Sequence, residues 1–252
     1  MPEPTSKSAA TPAPARQVDP ESAAAANRRD IFLPVTRTAR VSTVGSPGDH
    51  VRELWIVCHG YGQLSTLFIR HFQPIVGDAR WILAPEGLSR FYHEMPNAAR
   101  HADLPVDERR VGAAWLTREE RERDIADGVA YLTNVHEFAA SHLPYDIPLT
   151  VLGFSQGVSV AARWLALAPT PPEVDHFICW SGSVPAELVR DGRRIRAARA
   201  TLVSGTEDPW VRSGTVEAQQ QRLESLGIAP KVVRFHGGHR MDAPTLGSIA
   251  GA

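Results

Sequence analysis

Large apolar side chains are scarce before residue 29 and recur in short blocks after it. The block LWIVCHG (Leu54–Gly60) is apolar almost throughout and ends in glycine. Such a run reads as a strand buried on both faces, which is the pattern of a parallel sheet. WILAPEG, LTVLGFS, HFICWSG, ATLVSGT and KVVRFHG repeat the signal. Between several of these blocks the apolar positions fall at helical spacing. In TREERERDIADGVAYLTNVHEFAASHL the residues Ile125, Val129, Leu132, Val135 or His136, and Ala139 mark one face. Thr117 and Glu120 have the spacing of a capping box at its start. Further helices are predicted in QGVSVAARWLALA and EAQQQRLESLG. IFLPVTRTARVSTVG alternates loosely and is rich in β-branched residues, which predicts one or two antiparallel strands before the parallel ones. Strands alternating with helices give an α/β fold, with a mainly parallel central sheet and helices on both faces.

Two segments fall outside this rhythm. Residues 1–28 are rich in Ala, Pro, Ser and charge. They carry too little apolar surface to offset the entropy of ordering, so a disordered tail is expected, followed by one domain over 29–252. Residues 88–116 hold proline, histidine, arginine and aromatics without sustained periodicity. A segment of that length after a sheet strand is expected to be a lid-like insertion or pocket wall at the carboxyl edge.

Composition narrows the classes. A net charge of -1 leaves no basic field for a polyanion, so nucleic acid is not an expected partner. The two cysteines, Cys58 and Cys179, sit in apolar runs and read as core residues, not as a disulfide framework. No apolar run reaches the roughly 20 residues of a bilayer-spanning helix, so no integral membrane segment is expected. The N-terminal stretch lacks the apolar core of an export signal, and the cytoplasm is the expected location.

The chemistry concentrates in LTVLGFSQGVSVAARWLALA. Gly153-Phe154-Ser155-Gln156-Gly157 fits G-x-S-x-G, with an apolar strand before it and an amphipathic helix after it. In that setting the serine occupies a strained strand-to-helix turn, the nucleophile elbow, and flanking glycines allow strand and helix to pass closely. A serine hydroxyl needs a base to take its proton. In an elbow of this kind the acid and then the histidine follow the serine along the chain. His236 and His239 both lie after the acid candidates; His239 is favoured because a loop beyond the last strand can carry its ring over the elbow. Glu207 and Asp208 follow the preceding strand, and Asp208, fixed by Pro209, is the favoured acid. Asp242 instead reads as the N-cap of a final short helix. His59-Gly60-Tyr61-Gly62 follows the first buried strand, so the N–H groups of Tyr61 and Gln156 are the expected oxyanion donors. His59 itself reads as a structural residue beneath the site. No Walker loop, dinucleotide fingerprint or zinc-protease motif is present, and neither metal nor cofactor is expected.

These pieces together, HGYG, APEG, GFSQG, GTEDPWV and GGHRMD, resemble the phospholipase/carboxylesterase family of the α/β-hydrolase fold, which includes acyl-protein thioesterases. The resemblance runs from about Leu54 to the C-terminus. It implies a serine carboxylesterase-type enzyme that hydrolyses carboxylic esters or thioesters through an acyl-enzyme, without a cofactor. It also implies the triad Ser155, Asp208 and His239, with Tyr61 and Gln156 at the oxyanion. Val158 stands where acyl-protein thioesterases commonly have a second glycine, and residues 88–116 do not match their acyl-channel segment. Trp210, Phe91, Tyr92 and Trp115 are the expected pocket walls, favouring small ester substrates. A peptidase, an acyltransferase or a non-catalytic binding protein on the same fold are the alternatives.

Removal of residues 1–28 is expected to leave kcat/KM and Tm almost unchanged, because the segment has so little apolar surface with which to dock. Thermal melts of the truncated and full-length proteins check this, and a fall of many degrees would contradict it.

Overall fold

The computed structural model describes residues 29–93, 109–144, 147–211 and 214–251. The chain divides into two units, Met1–Thr38 and Ala39–Ala252. In the first, residues 29–38 contain no helix or strand, so of the one or two early strands expected one is formed, and it lies in the second unit. Pro34 interrupts the earlier apolar run and cannot donate to a ladder. The predicted tail, 1–28, lies outside the described residues.

The second unit is built on a seven-stranded sheet. Its strands are β1 (Val41–Val44), β2 (Glu53–Cys58), β3 (Arg80–Pro85), β6 (Leu149–Phe154), β7 (Val174–Trp180), β8 (Ala197–Gly205) and β9 (Pro230–Phe235). The order is β1-β3-β2-β6-β7-β8-β9, antiparallel at β1 and parallel elsewhere. Alternate side chains enter two separate cores. Leu54, Ile56 and Cys58 of β2 join one, and Trp55 and Val57 join the other. Full burial of such a side chain stabilises by about 1.5–3 kcal/mol, so both faces demand apolar residues and the strand shows no polar alternation.

One core lies under α2 (Arg121–Ala140) and α3 (Gln156–Leu167), with α4 (Ala186–Arg190) and α5 (Thr215–Ser225) adding Leu188 and Leu223. The opposite core lies under α1 (Ser65–Phe68), the 3-10 segment Ile69–Ile75 and α6 (Ala243–Ala250). Both cysteines are buried and free. Burial pushes the Cys58 thiol up to about 12 and raises that of Cys179 as well, which suits inert core residues.

The predicted face of α2 is the buried one, with Val129, Leu132, Val135 and Ala139 inward. Its start differs from the expected capping box. Glu120 is left-handed, with φ 48, and the helix begins only at Arg121. Thr117 is thereby held outside the helix, where its Oγ1 accepts from Glu119 N–H at 3.2 Å. Asp124 does the reaching back, accepting from Thr117 N–H at 3.0 Å. At the last helix the expectation is met: Asp242 accepts from Thr245 N–H and Oγ1, with proline in the first turn. Within the 88–116 segment, β4 (Ser89–Tyr92) and β5 (Val111–Ala114) form a two-stranded antiparallel hairpin; 94–108 lie outside the described residues.

The tightest packing joins β6 to α3. A Cβ on Gly153 would lie 2.4 Å from the backbone of Val158, and one on Gly157 would lie 2.1 Å from the carbonyl oxygen of Cys58. No side chain fits at either position. Gly157→Ala is expected to lower Tm by about 5–10 °C, taking roughly 2–3 kcal/mol for overpacking and 2–4 °C per kcal/mol. A thermal melt checks it; a Tm within about 1 °C of the parent would contradict the close approach.

Candidate active site

Strands β2, β6, β8 and β9 run parallel, so the loops that follow them leave on one edge of the sheet. Every residue selected for chemistry from the sequence follows one of these four strands. Ser155 lies between β6 and α3 with φ 54 and ψ -117. A non-glycine residue held there costs of order 1–3 kcal/mol and persists only where its surroundings enforce it. Here Ser155 N–H donates to Trp180 O at 2.9 Å, and Ser155 O accepts from Val158 N–H at 3.1 Å. Ser155 opens onto a cavity of about 590 Å³ that is also lined by His239, Tyr61, Gln156 and Trp210.

The acid and histidine loops are joined to each other. Thr206 N–H donates to Phe235 O, and Glu207 N–H donates to Gly237 O, both at 2.9 Å. A Cβ on Gly205 would meet the Gly237 carbonyl oxygen at 2.2 Å, so the loops touch backbone to backbone. The Asp208 side chain is buried; its Oδ1 accepts from Trp210 N–H at 2.9 Å, and its Oδ2 lies 2.8 Å from His239 Nδ1. A carboxylate can only accept, so Nδ1 carries the proton and the lone pair of the ring is left on Nε2. The ring packs against Phe154, with centroids 5.0 Å apart. By contrast, 88% of the His236 side chain is exposed; it faces Glu207 at 3.8 Å and does not line the cavity.

The β2 loop lies close against the elbow: a Cβ on Gly60 would be 3.2 Å from Ser155 Cβ, tighter than most packing contacts. His59 is fully buried. Its Nε2 accepts from Gly87 N–H at 2.9 Å, and its Nδ1 lies 2.7 Å from Gly60 O. Nδ1–H must therefore be the donor to that carbonyl. Burial lowers the His59 pKa, outweighing the Gly60 bond and nearby Glu86, which keeps the ring neutral. A trans peptide points its N–H opposite to its C=O, so fixing Gly60 O also fixes the direction of Tyr61 N–H. Gln156 N–H belongs to the first turn of α3, where backbone N–H groups have no partner within the helix and the dipole favours negative charge. Two donors and a developing anion fit this arrangement.

The expected pocket walls divide. Tyr61 and Trp210 line the cavity and are well exposed. Trp115 does not. It is buried, and its indole N–H donates to His59 O at 2.9 Å. It follows the end of β5, where a Cβ on Gly87 would lie 2.5 Å from Ala114 O. Phe91 stacks on the outer face of Tyr61, centroids 5.1 Å apart, and Tyr92 lies beside Arg109; neither lines the cavity.

Several residues escaped the sequence reading. Glu86 is buried and accepts from Ser65 N–H and Oγ, both at 3.1 Å, and from Arg90 at 2.7 Å. Burial pushes its carboxyl up, but Arg90, the Ser65 bonds and Arg40 together hold it below the ordinary range. Ser181, at the end of β7, has φ 46, lines the cavity, and its buried Oγ has no hydrogen-bond partner among the described residues. Glu86 stands in APEG, which was read only as part of the resemblance, and Ser181 closes an apolar strand; an acid or a serine at the end of such a strand was the available signal.

Residues 53–245 match the family described as serine hydrolase (FSH1). The chain belongs to this family. No curated protein matches it. Among solved structures it is similar to acyl-protein thioesterase 2 of Zea mays, at 17% identity over 85% of this chain and 97% of that one, with a TM-score of 0.61. It is similar to the Bacillus cereus carboxylesterase at 15% identity over 84% of this chain and 92% of that one, TM-score 0.60. A carboxylesterase from Mesorhizobium loti matches at 20% identity over 79% and 87% of the two chains, TM-score 0.58. These likenesses establish the α/β-hydrolase fold. Among the described residues no helix is long and apolar enough to cross a membrane.

For a serine hydrolase of this family, the two histidines make separable predictions. His239→Ala is expected to reduce esterase kcat by about 10³-fold or more. His236→Ala should change it by no more than about twofold, the size of an ordinary surface substitution. Steady-state kinetics on both variants, with circular dichroism to check folding, decide the matter; reversed losses would exchange the roles.

Proposed function

We propose that this chain hydrolyses small carboxylic esters through an acyl-enzyme on Ser155. The observation that carries the reading is one cavity lined by both Ser155 and a histidine whose Nδ1 is held by a buried carboxylate. Ser155 Oγ attacks the acyl carbon while its proton passes to His239 Nε2. The tetrahedral oxyanion takes hydrogen bonds from the N–H groups of Tyr61 and Gln156. The intermediate then expels the alcohol, which leaves with the proton held on Nε2. Water repeats the sequence on the acyl-enzyme, giving the carboxylic acid and restoring Ser155. Asp208 stabilises the imidazolium in both halves without itself becoming protonated. A thioester would follow the same course with a thiol as leaving group.

The preference for small acyl groups rests on the chemistry of the cavity wall. Ser159, Ser181, Ser183 and Thr215 line it beside the rings of Tyr61 and Trp210, and among the described residues Val211 is the one aliphatic side chain in the lining. Each methylene that finds an apolar slot contributes about 0.8 kcal/mol, and a wall whose apolar surface is broken up by hydroxyls offers short slots but no continuous channel. The aromatics of residues 88–116 are not needed for this argument.

Two measurements test the proposal. Ser155→Ala should abolish labelling by a fluorophosphonate probe and lower kcat by several orders of magnitude; retained labelling would refute the nucleophile. With 4-nitrophenyl esters and acyl-CoA thioesters of increasing length, kcat/KM should peak at short to medium chains and then fall. Rates that climb as far as palmitoyl substrates would refute the size preference.

A further inference from the structure

The hairpin of β4 and β5 makes its closest contacts with the two loops that carry the oxyanion donors. Gly62, next to Tyr61, is bound on both sides. Its N–H donates to Ala113 O at 2.8 Å, and its carbonyl oxygen lies 2.8 Å from His93 Nε2, which must be the donor. Phe91 covers the Tyr61 ring. On the other side, Trp115 N–H donates to Gln156 Oε1 at 3.1 Å, and Gln156 Nε2 donates to Leu116 O at 2.9 Å. The hairpin thus holds the residue of one donor by its side-chain amide and the loop of the other by its backbone.

The fit leaves no slack. A Cβ on Gly112 would meet His93 Nε2 at 2.5 Å and the Gly62 carbonyl oxygen at 2.6 Å. Gly62 itself has φ 76, a conformation that favours glycine, and a loop containing Gly60 and Gly62 loses more freedom on ordering than any other sequence would. The His59 bond to Gly60 O sets one end of this loop, and the hairpin's bonds to Gly62 set the other. Oxyanion stabilisation depends on donors that are in place before charge develops.

We infer that the β4–β5 hairpin is a positioning element that preorganises the oxyanion hole by clamping the Tyr61–Gly62 loop to Gln156. It acts on the transition state, not on substrate entry. The inference rests on the proposed acyl transfer at Ser155, and it assigns Phe91, His93 and Gly112 roles that act through Tyr61.

The test compares His93→Ala, His93→Gln and Gly112→Ala with the parent, using 4-nitrophenyl acetate and a trifluoromethyl ketone. The ketone adds Ser155 Oγ to its carbonyl carbon and leaves an oxyanion in the hole. His93→Ala should lower kcat about 10-fold, less than the 10²–10³-fold of a lost donor. KM should move less than about twofold, and affinity for the ketone should fall by the same factor as kcat. His93→Gln, whose amide nitrogen reaches a similar point, should recover most of the loss. Gly112→Ala should lower kcat at least as far; if it fails to fold, the His93 pair decides alone. Unchanged kcat with acetate, or a loss confined to KM for bulky esters, would overturn the inference and make the hairpin a lid. So would a kcat loss without a matching loss of ketone affinity. Failure of the Ser155→Ala labelling test refutes acyl transfer at Ser155 itself, so the two failures are distinguishable.

Discussion

The site depends on one close approach, that of Gly157 to the carbonyl of Cys58. It brings the start of α3 against the end of β2 with no side chain between them. The same contact closes the turn in which Ser155 is held at φ 54, a conformation the residue would leave if the helix could withdraw. It also sets the His59–Gly62 loop beside Ser155, since that loop begins at the residue after Cys58. Strain at Ser155 of order 1–3 kcal/mol is small beside the packing of two cores, so the fold can sustain it without visible distortion elsewhere.

A second constraint operates between loops. A parallel sheet delivers every carboxyl-end loop to one edge but says nothing about their relative height or angle. Here backbone contacts supply that information. The acid loop bonds to the histidine loop through Thr206 and Glu207, and the β2 loop is tied to residue 87 through the His59 ring. Glu86, held by Ser65 and Arg90, anchors the adjoining chain. The polar groups beneath the site are therefore spent on geometry. His59 and Glu86 are titratable and buried, yet each is committed on both sides to bonds that leave it nothing to exchange with a substrate.

Much of this was legible in the sequence because it follows from burial and from local turns. Six apolar runs became six parallel strands, and the helical face from Val129 to Ala139 was the buried one. Ser155, Asp208 and His239 could be singled out as candidates because strand, glycine and loop order restrict where such residues can stand. What was not legible depended on long-range contact. Thr117 has the spacing of a capping residue, but the left-handed Glu120 moved the helix start past it. VGAA has no signal of its own as a strand; it becomes one by pairing with Ser89–Tyr92. Trp115 looked like a wall because it is aromatic and near the site, but it is buried, and its indole N–H is held by the His59 carbonyl, a contact 56 residues away in the chain.

The same distinction limits what the acyl-protein thioesterase likeness carries. At 17% identity the shared part is the fold, a consequence of burial and backbone packing. Acyl-chain preference is decided by side chains on the cavity wall, which the backbone does not dictate. In this chain the described part of that wall sets hydroxyls of Ser159 and Ser183 among the rings of Tyr61 and Trp210 and the aliphatic Val211. A hydroxyl facing an alkyl chain gives up hydration without a hydrogen bond in return, and that cost offsets what the chain gains by leaving water. Two proteins can therefore share the whole catalytic frame and still differ in substrate by the polarity of a few side chains. The frame determines that an acyl group is transferred, and the wall determines which one.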